Sequence, residues 1–128
     1  MSNRYLLDTN IFIYYFNDNP VVLPIIEEVE AGVAMGFYSP ITWVELLCYP
    51  ELTEVEKDIM REFLRTLNSI SLTETVLDSA AEIRGRYRVQ LADAFIAASA
   101  LVEGCTLVTR NVGDFRRIDG LSVLNPFE

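Results

Sequence analysis

Five carboxylate or amide side chains in this sequence stand where a strand is expected to end or within a helix. Asp8 follows the apolar run YLL, Glu45 lies within ITWVELLC, Asp93 begins DAFIAASAL, and Asn111 and Asp114 follow CTLVT. Each could be explained alone, but their recurrence favours a cluster of oxygen ligands. Carboxylate oxygens are the donors that hard ions such as Mg²⁺ and Mn²⁺ prefer.

Four of these five residues also have a purely structural explanation. Asp8 could be an N-cap or form an Asx turn, and Asp93 could be an N-cap or a first-turn acid that complements the helix dipole. Asn111 and Asp114 could shape a turn. Glu45 is harder to explain in this way, because its helix neighbours are apolar nearly all round and a buried carboxylate is costly unless paired or metal-bound. We therefore expect Glu45 in a cleft.

The chain contains no histidine, which narrows the possible chemistry. This absence excludes histidine-based acid–base catalysis, Ser-His-Asp triads and the imidazole ligands of most catalytic zinc sites. A metal held by carboxylates could replace the missing base, because it lowers the pKa of a bound water and neutralises charge on a phosphate. The natural substrate of such a site is a phosphodiester.

Charge is unevenly distributed along the chain, whose net charge is −9. Residues 1–82 contain 14 acidic and 4 basic side chains, whereas residues 83–128 contain 5 and 6. We predict that phosphate is bound by the C-terminal third, although a solvated helix surface is the alternative explanation for these guanidinium groups. The candidate phosphate contacts are Arg84, Arg86, Arg88, Arg110 and Arg116, with Arg117 beside them.

Strand patterns alternate with helix patterns, which predicts an α/β fold: a three-layer α/β/α sandwich with a mostly parallel central sheet. In such sheets, sites form beyond the carboxyl ends of the strands, where Asp8 and the segment TRNVGD are placed. The expected strands are RYLL, GFYS, SISL, CTLVT and, at an edge, LSVL. The expected helices cover about residues 11–17, the segment after Pro20, Pro40 to Pro50, the segment after a Thr53–Glu56 capping box, Thr73 to about Arg88, and a segment closed by Gly104.

Length and composition indicate one domain, residues 1–128. A hydrophobic content of 51% and a mean hydropathy of +0.23 favour a homodimer. No charge-free segment is long enough to span a bilayer, and we expect a cytoplasmic protein. Cys48 and Cys105 have apolar neighbours in the sequence and are expected to be buried and inert. After the capping box, Val55, Ile59, Phe63 and Leu67 are expected to align on one helix face.

The segments LLDTN, ITWVEL, LADAFIAASAL and LVTRNVGDF resemble, in order and spacing, the four acidic motifs of PIN-domain ribonucleases. They are most similar to the VapC-like toxins of toxin–antitoxin pairs. The resemblance runs from Tyr5 to about Phe115. It implies a metal-dependent endoribonuclease with Mg²⁺ or Mn²⁺ as cofactor, an RNA substrate, a homodimer, and an antitoxin whose C-terminal segment blocks the site.

Carried over residue by residue, the resemblance makes Asp8, Glu45 and Asp93 the catalytic metal ligands. It gives Thr9 and Asn10 the role of orienting the first carboxylate and the metal-bound water. These assignments are implied by the motifs and are expectations for the structure to examine.

The fourth motif departs from the family pattern. The family often has an acid where this chain has Asn111, so the fourth catalytic position falls either to Asn111, acting through water, or to Asp114. The resemblance leaves open whether one or two metal ions bind.

Three functions other than a nuclease are consistent with part of this sequence pattern. A phospho-acceptor receiver-like domain also gathers acids at strand ends, but the lysine expected beside them is missing, because Lys57 lies far from every motif in sequence. A phosphatase with an aspartyl nucleophile would need a second aspartate where Asn10 stands. A catalytically silent PIN-fold interaction module would not need the acids at Asp8, Glu45 and Asp93.

Overall fold

The structure is a computed structural model that describes residues 3–128. Its central sheet is parallel in every strand pairing, which confirms the expected sheet. Across the sheet the order is third, second, first, fourth and fifth strand of the sequence. The strands are β1 (Asn3–Leu7), β2 (Ala34–Tyr38), β3 (Asn68–Ser69), β4 (Thr106–Val108) and β5 (Val123–Leu124).

Helices connect the strands on both sides of the sheet, as parallel pairing requires. A short 3₁₀ turn, Pro20–Val22, precedes the second helix. Within residues 3–128 the α-helices are α1 (Thr9–Phe16), α2 (Leu23–Glu30), α3 (Pro40–Leu47), α4 (Glu54–Arg65), α5 (Glu74–Tyr87), α6 (Leu91–Glu103) and α7 (Val112–Phe115).

The strands bury side chains on both faces, which gives the molecule two hydrophobic cores. Leu6 and Leu107 pack with α5, α6 and α7 on one face. Leu7 and Val108, the next residues along the same strands, pack with α1 to α4 on the other face. This alternation follows from the two-residue period of a strand, and it confirms the three-layer sandwich.

Most predicted helix ends lie where the sequence placed them. Pro40 opens α3 behind the N-cap Ser39, and the capping box between Thr53 and Glu56 is formed at the start of α4. Gly104 ends α6 with φ +65°, a left-handed conformation that glycine adopts without a Cβ penalty. These boundaries fix the entry and exit of the helices around the sheet.

The expected apolar face of α4 was half right: Phe63 and Leu67 pack against the core, but Val55 and Ile59 do not. Val55 and Ile59 are 70% and 58% exposed, whereas Leu64 is fully buried. The inner face of α4 repeats with helical spacing through Met60 and Leu64, so a stripe read through Val55 and Ile59 is rotated away from the core. Both residues remain on the surface.

Two smaller expectations also changed. Cys105 is buried, but Cys48 is exposed because α3 ends at Leu47 and leaves Cys48 as its C-cap. The strand expected at SISL is only two residues long and begins one residue earlier, at Asn68.

Within residues 3–128, no helix is long and apolar enough to cross a membrane.

Candidate metal centre

The carboxyl ends of β1 and β4 meet at one edge of the sheet. Leu7 lies opposite Val108 in the parallel register, and the Asp8 backbone N–H donates to the Val108 carbonyl at 3.0 Å. The next residues, Asp8 and Thr109, therefore emerge side by side. This pairing places the first acidic motif beside the fourth, although about 100 residues separate them in sequence.

Asp8 is buried and fully engaged by its neighbours, with 8% of its surface exposed. Its Oδ1 accepts from the Thr9 backbone N–H at 2.8 Å, and its Oδ2 accepts from the Thr109 hydroxyl at 2.8 Å. Burial raises the pKa of Asp8, while these two hydrogen bonds lower it and the charge of Glu45 raises it. Asp8 is also the N-cap of α1, which is the structural role that the sequence allowed for it.

Glu45 is half-buried and joined to Asp8 through Thr9. The Thr9 hydroxyl donates to Glu45 Oε1 at 2.7 Å and lies 2.9 Å from the Thr42 hydroxyl. Because the Thr9 proton is directed at Glu45, Thr42 donates to Thr9. Thr9 therefore contacts Asp8 through its backbone and Glu45 through its side chain, so it orients both carboxylates and not Asp8 alone.

Thr42 and Thr109 are functional neighbours that the sequence analysis missed. Both side chains are fully buried. Thr42 stands three residues before Glu45, and this spacing puts two side chains on one helix face. Thr109 ends the apolar run CTLVT at the edge where the site was expected. A polar residue at each of these positions was the available signal.

Asp93 lies in the first turn of α6 and is half-buried. Its pKa is raised to about 6, first by burial and then by the charges of Asp8, Asp114 and Glu45. The N-cap of α6 is Gln90, so Asp93 is a first-turn acid and not the cap. The structure thus brings four of the predicted acids close enough for their charges to interact.

Asn111 and Asp114, the two candidates for the fourth position, differ in their contacts. Asn111 is exposed, and its backbone N–H donates to the Thr109 hydroxyl oxygen at 3.1 Å. Asp114, in α7, adds its charge to that felt by Asp93 and accepts from Arg117 at 3.2 Å. Asn10 is exposed in the first turn of α1. These contacts favour Asp114 over Asn111 as the fourth oxygen donor.

The first three candidate phosphate contacts lie at the end of α5. Arg84 and Arg86 belong to its last turn, and Arg88 is its C-cap with φ +56°. All three are exposed, and Arg86 pairs with Asp119 at 3.4 Å. These arginines are followed by α6, which contains Asp93 in its first turn.

The remaining arginines surround α7. Arg110 and Arg116 are exposed, and Arg116 donates to both carboxylate oxygens of Glu128, at 3.0 and 2.7 Å. Arg117 pairs with Asp114 and also donates to the Tyr87 carbonyl at 3.1 Å, which links α7 to the end of α5. Arg117 thus contacts one of the clustered acids directly, and Arg110 follows Thr109, whose hydroxyl contacts Asp8.

The donor chemistry of this edge fits a divalent cation of the Mg²⁺ type, because every donor is an oxygen. Burial and like charge disfavour the ionised forms of Asp8 and Asp93, and a cation would favour them. Among residues 3–128, no three acidic or cysteine side chains are already arranged to hold an ion. Asp114 faces Arg117 and would reorient on binding, whereas Thr9 holds Glu45 through Oε1.

Comparisons with known proteins support a nuclease-like fold at this site. A family model described as PIN domain matches residues 5–121. The plasmid stability protein StbB of Pseudomonas syringae pv. tomato is 39% identical over 79 residues, which cover 58% of this chain and 55% of that protein. This chain therefore spans just over half the length of that curated relative.

Two solved structures resemble nearly the whole chain. A toxin-antitoxin complex from Klebsiella pneumoniae is 31% identical, with 97% of this chain and 98% of that chain covered and a TM-score of 0.80. VapBC2 from Rickettsia felis, bound to a DNA fragment from its promoter, is 27% identical, with 95% and 98% covered and a TM-score of 0.83.

Proposed function

Because this chain belongs to the PIN domain family, we propose that it is a divalent-metal-dependent endoribonuclease that hydrolyses RNA phosphodiester bonds. In the cell it acts as the toxin of a toxin–antitoxin pair. The observation that carries this proposal is the gathering of four carboxylates at one edge of the sheet. There, three neighbouring acids help to raise the pKa of Asp93 to about 6.

The metal ligands in this proposal are Asp8, Glu45, Asp93 and Asp114, with Mg²⁺ or Mn²⁺ as the ion. When bound, the ion would lower the pKa of a coordinated water and offset charge on the phosphate. The protein fixes Asp8 and Glu45 in advance, through hydrogen bonds from buried groups at 2.7 to 2.8 Å. Such preorganisation limits the reorientation needed when substrate arrives.

RNA is held in this proposal by the exposed arginines beside the acids. Guanidinium groups bind phosphate oxygens by forked hydrogen bonds and so position the strand, without reading its sequence. The flanking cations also offset the repulsion between a polyanion and a chain of net charge −9. The arginines are Arg84, Arg86, Arg88, Arg110 and Arg116.

An antitoxin partner is supported by the solved relatives that are toxin-antitoxin complexes. An inserted arginine would relieve the repulsion among the carboxylates and compete with both metal and phosphate. We expect the cognate antitoxin to use a basic, partly apolar C-terminal segment, and its affinity to fall when Asp8 and Asp93 are both changed to Asn. Unchanged affinity in that double variant, measured by calorimetry at fixed salt, would place inhibition elsewhere.

A homodimer is supported by large apolar side chains that remain exposed in the single chain. Contiguous apolar surfaces mark interaction sites in soluble proteins, and Val55 and Ile59 lie one helical turn apart on α4. Light scattering coupled to size-exclusion chromatography should give twice the monomer mass, and a monomer at micromolar concentration would contradict this part of the proposal. The most exposed of these side chains are Val33, Val44, Val55, Ile59 and Leu91.

The experiment that tests the nuclease proposal is cleavage of a labelled single-stranded RNA of mixed sequence. Activity should be lost in EDTA and return with Mg²⁺ or Mn²⁺, and the folded Asp93→Asn variant should not cut under either condition. Full activity in EDTA would sink the mechanism. A folded wild-type protein that cuts no RNA with either ion would instead favour a catalytically silent interaction module.

A further inference from the structure

Arg110 differs from the other arginines near the acids in how it is held. It follows Thr109, the residue whose hydroxyl contacts Asp8, so its backbone is fixed at the edge of the site. The nearby Arg86, Arg116 and Arg117 all form ion pairs with acids. Arg110 is exposed and forms no such pair within residues 3–128.

Two aromatic rings contact the Arg110 guanidinium instead. Its central carbon lies 4.2 Å from the centre of the Phe127 ring and 5.5 Å from that of Tyr14. The two rings contact each other, with centroids 4.8 Å apart, and Arg110 Nη1 donates to the Tyr14 hydroxyl at 3.1 Å. This arrangement is a cation–π contact reinforced by a hydrogen bond.

The sequence NPF near the chain end places the Phe127 ring against Arg110. Asn125 Oδ1 accepts from the Phe127 N–H at 2.9 Å, an Asx turn across Pro126, whose ring fixes φ. The Asn125 side-chain amide donates to the Arg110 carbonyl at 3.5 Å. The acid that follows, Glu128, is occupied by Arg116 and leaves the Arg110 charge unneutralised.

The orientation of this guanidinium leaves its donors available. An arginine carries five N–H donors in one plane, and hydrogen bonds within residues 3–128 engage only Nη1. Stacking covers a flat face, whereas phosphate is bound in the plane through the edge. The ring contacts therefore hold the side chain while its remaining N–H groups stay available to an anion.

We propose that Tyr14 and Phe127 are positioning residues that hold Arg110 as a preorganised contact for a backbone phosphate of the RNA strand. The inference rests on the proposed function and deepens it by assigning one arginine a fixed role. Arg84 and Arg88, which lack an aromatic clamp within residues 3–128, bind phosphate with more loss of side-chain freedom.

The test compares four variants with the wild-type protein. Phe127→Leu keeps the apolar packing but removes the π face, Phe127→Tyr keeps the face, and Arg110→Gln removes the charge. Arg65→Gln is the charge-matched control, because Arg65 is an exposed residue of α4 that pairs with Glu62 on its own helix. Melting temperatures establish first that each variant is folded.

Two readouts separate positioning from stability. The first is KM and kcat for cleavage of a fluorescein-labelled single-stranded RNA of mixed sequence with Mg²⁺. The second is binding of the same RNA by anisotropy in EDTA over a salt series, in an Asp93→Asn background.

Arg110→Gln should raise KM and the dissociation constant and lower the salt slope by about 1. Phe127→Leu should raise KM about two- to fivefold with kcat unchanged, whereas Phe127→Tyr should keep the wild-type KM.

A double-variant cycle gives the sharpest outcome. If Phe127 acts through Arg110, Phe127→Leu has no further effect in the Arg110→Gln background. Additive effects of the two substitutions would overturn this inference alone. So would a Phe127→Leu protein that behaves like Arg65→Gln while the wild-type protein cuts RNA. A wild-type protein that neither cuts nor binds the RNA would overturn both the inference and the proposed function. If Phe127→Leu fails to fold, Tyr14→Phe takes its place in the cycle.

Discussion

The two halves of the acidic cluster are held in different ways. Asp8 and Glu45 accept short hydrogen bonds from threonines, all of them buried. Asp93 accepts no hydrogen bond from residues 3–128, and Asp114 has only a half-exposed ion pair with Arg117. The half built on β1 and α3 is therefore fixed before anything binds, whereas the half on α6 and α7 is left with like-charge repulsion.

This difference explains how one site can have two fixed carboxylates and also respond to a nearby cation. Buried hydrogen bonds set the orientation of the first two carboxylates, which is the part of a site that preorganisation serves. Burial and then like-charge repulsion raise the pKa of Asp93 to about 6, which disfavours the charged metal-free state and favours any state with a cation nearby.

The largest expected effect comes from replacing one acid in either half of the cluster. Both substitutions should reduce activity strongly, but they should change stability in opposite directions. Asp8→Ala and Asp93→Asn should each reduce RNA cleavage by about 10²- to 10³-fold. Asp8→Ala should also lower the free energy of unfolding by about 1–3 kcal/mol, because it removes a helix cap and leaves the buried Thr109 hydroxyl without its acceptor. Asp93→Asn should raise it, because repulsion is removed.

Urea unfolding in EDTA at pH 7.5, alongside cleavage assays with Mg²⁺, measures both quantities. A destabilised Asp93→Asn protein would show that Asp93 is held by attractive contacts and would remove the contrast between the halves.

The next effect concerns the threonine that holds Asp8. Thr109→Val keeps the size of the side chain but removes its hydroxyl, so Asp8 should lose its fixed orientation and cleavage should fall about 10- to 100-fold. Thr106→Val, on the same strand but away from Asp8, is the matched control. Equal rates for the two variants would mean that the hydrogen bond to Asp8 has no part in function.

A smaller effect is a pH dependence of stability in the metal-free protein. The pKa of Asp93 is about 6 when folded and close to its ordinary 3.8 when unfolded, so the folded state binds the proton more tightly. Stability should therefore fall as pH rises from about 4 to about 6, and level off above that.

The Asp93→Asn variant isolates this contribution. The difference in unfolding free energy between variant and wild type should grow across the same pH window in EDTA, in favour of the variant. A difference that stays constant from about pH 4 to pH 7 would mean that Asp93 titrates normally in the folded protein.

The smallest effect distinguishes the candidates for the fourth position. Asp114→Asn should reduce cleavage by about three- to tenfold, since Asp114 is half-exposed and its charge is partly screened. Asn111→Ala should have less effect, because its contact to Thr109 is made by the backbone. The reverse order would assign the role to Asn111, and two negligible effects would show that three acids suffice.

The sequence predicted the acidic edge because that edge depends on local signals. A buried run followed by Asp8, and a β-branched run followed by TRNVGD, are enough to mark two strand ends on one side of a parallel sheet. The same reasoning failed for half of the predicted face of α4, because the choice of its inner face depends on which neighbours it meets in space. Phe63 packs against the rings of Phe12 and Tyr15, and this contact brings Leu64 inward and leaves Ile59 outside.

Contacts between distant residues were also beyond sequence reasoning. Thr109 meets Asp8 only because β4 lies beside β1, and Phe127 reaches Arg110 only because β5 returns the chain to the same edge. A buried threonine and a phenylalanine near the chain end look ordinary in the sequence. Their roles follow from strand order, which periodicity does not specify.

The most direct test of the account is whether the acidic cluster binds a divalent cation. Calorimetric titration of Mn²⁺ into metal-free protein at pH 7.5 should show binding that Asp93→Asn weakens by about tenfold or more. Asp119→Asn, which removes an exposed acid paired with Arg86 outside the cluster, should bind Mn²⁺ as the wild type does. Equal affinities for the wild type and Asp93→Asn would contradict the claim that these carboxylates form a metal site.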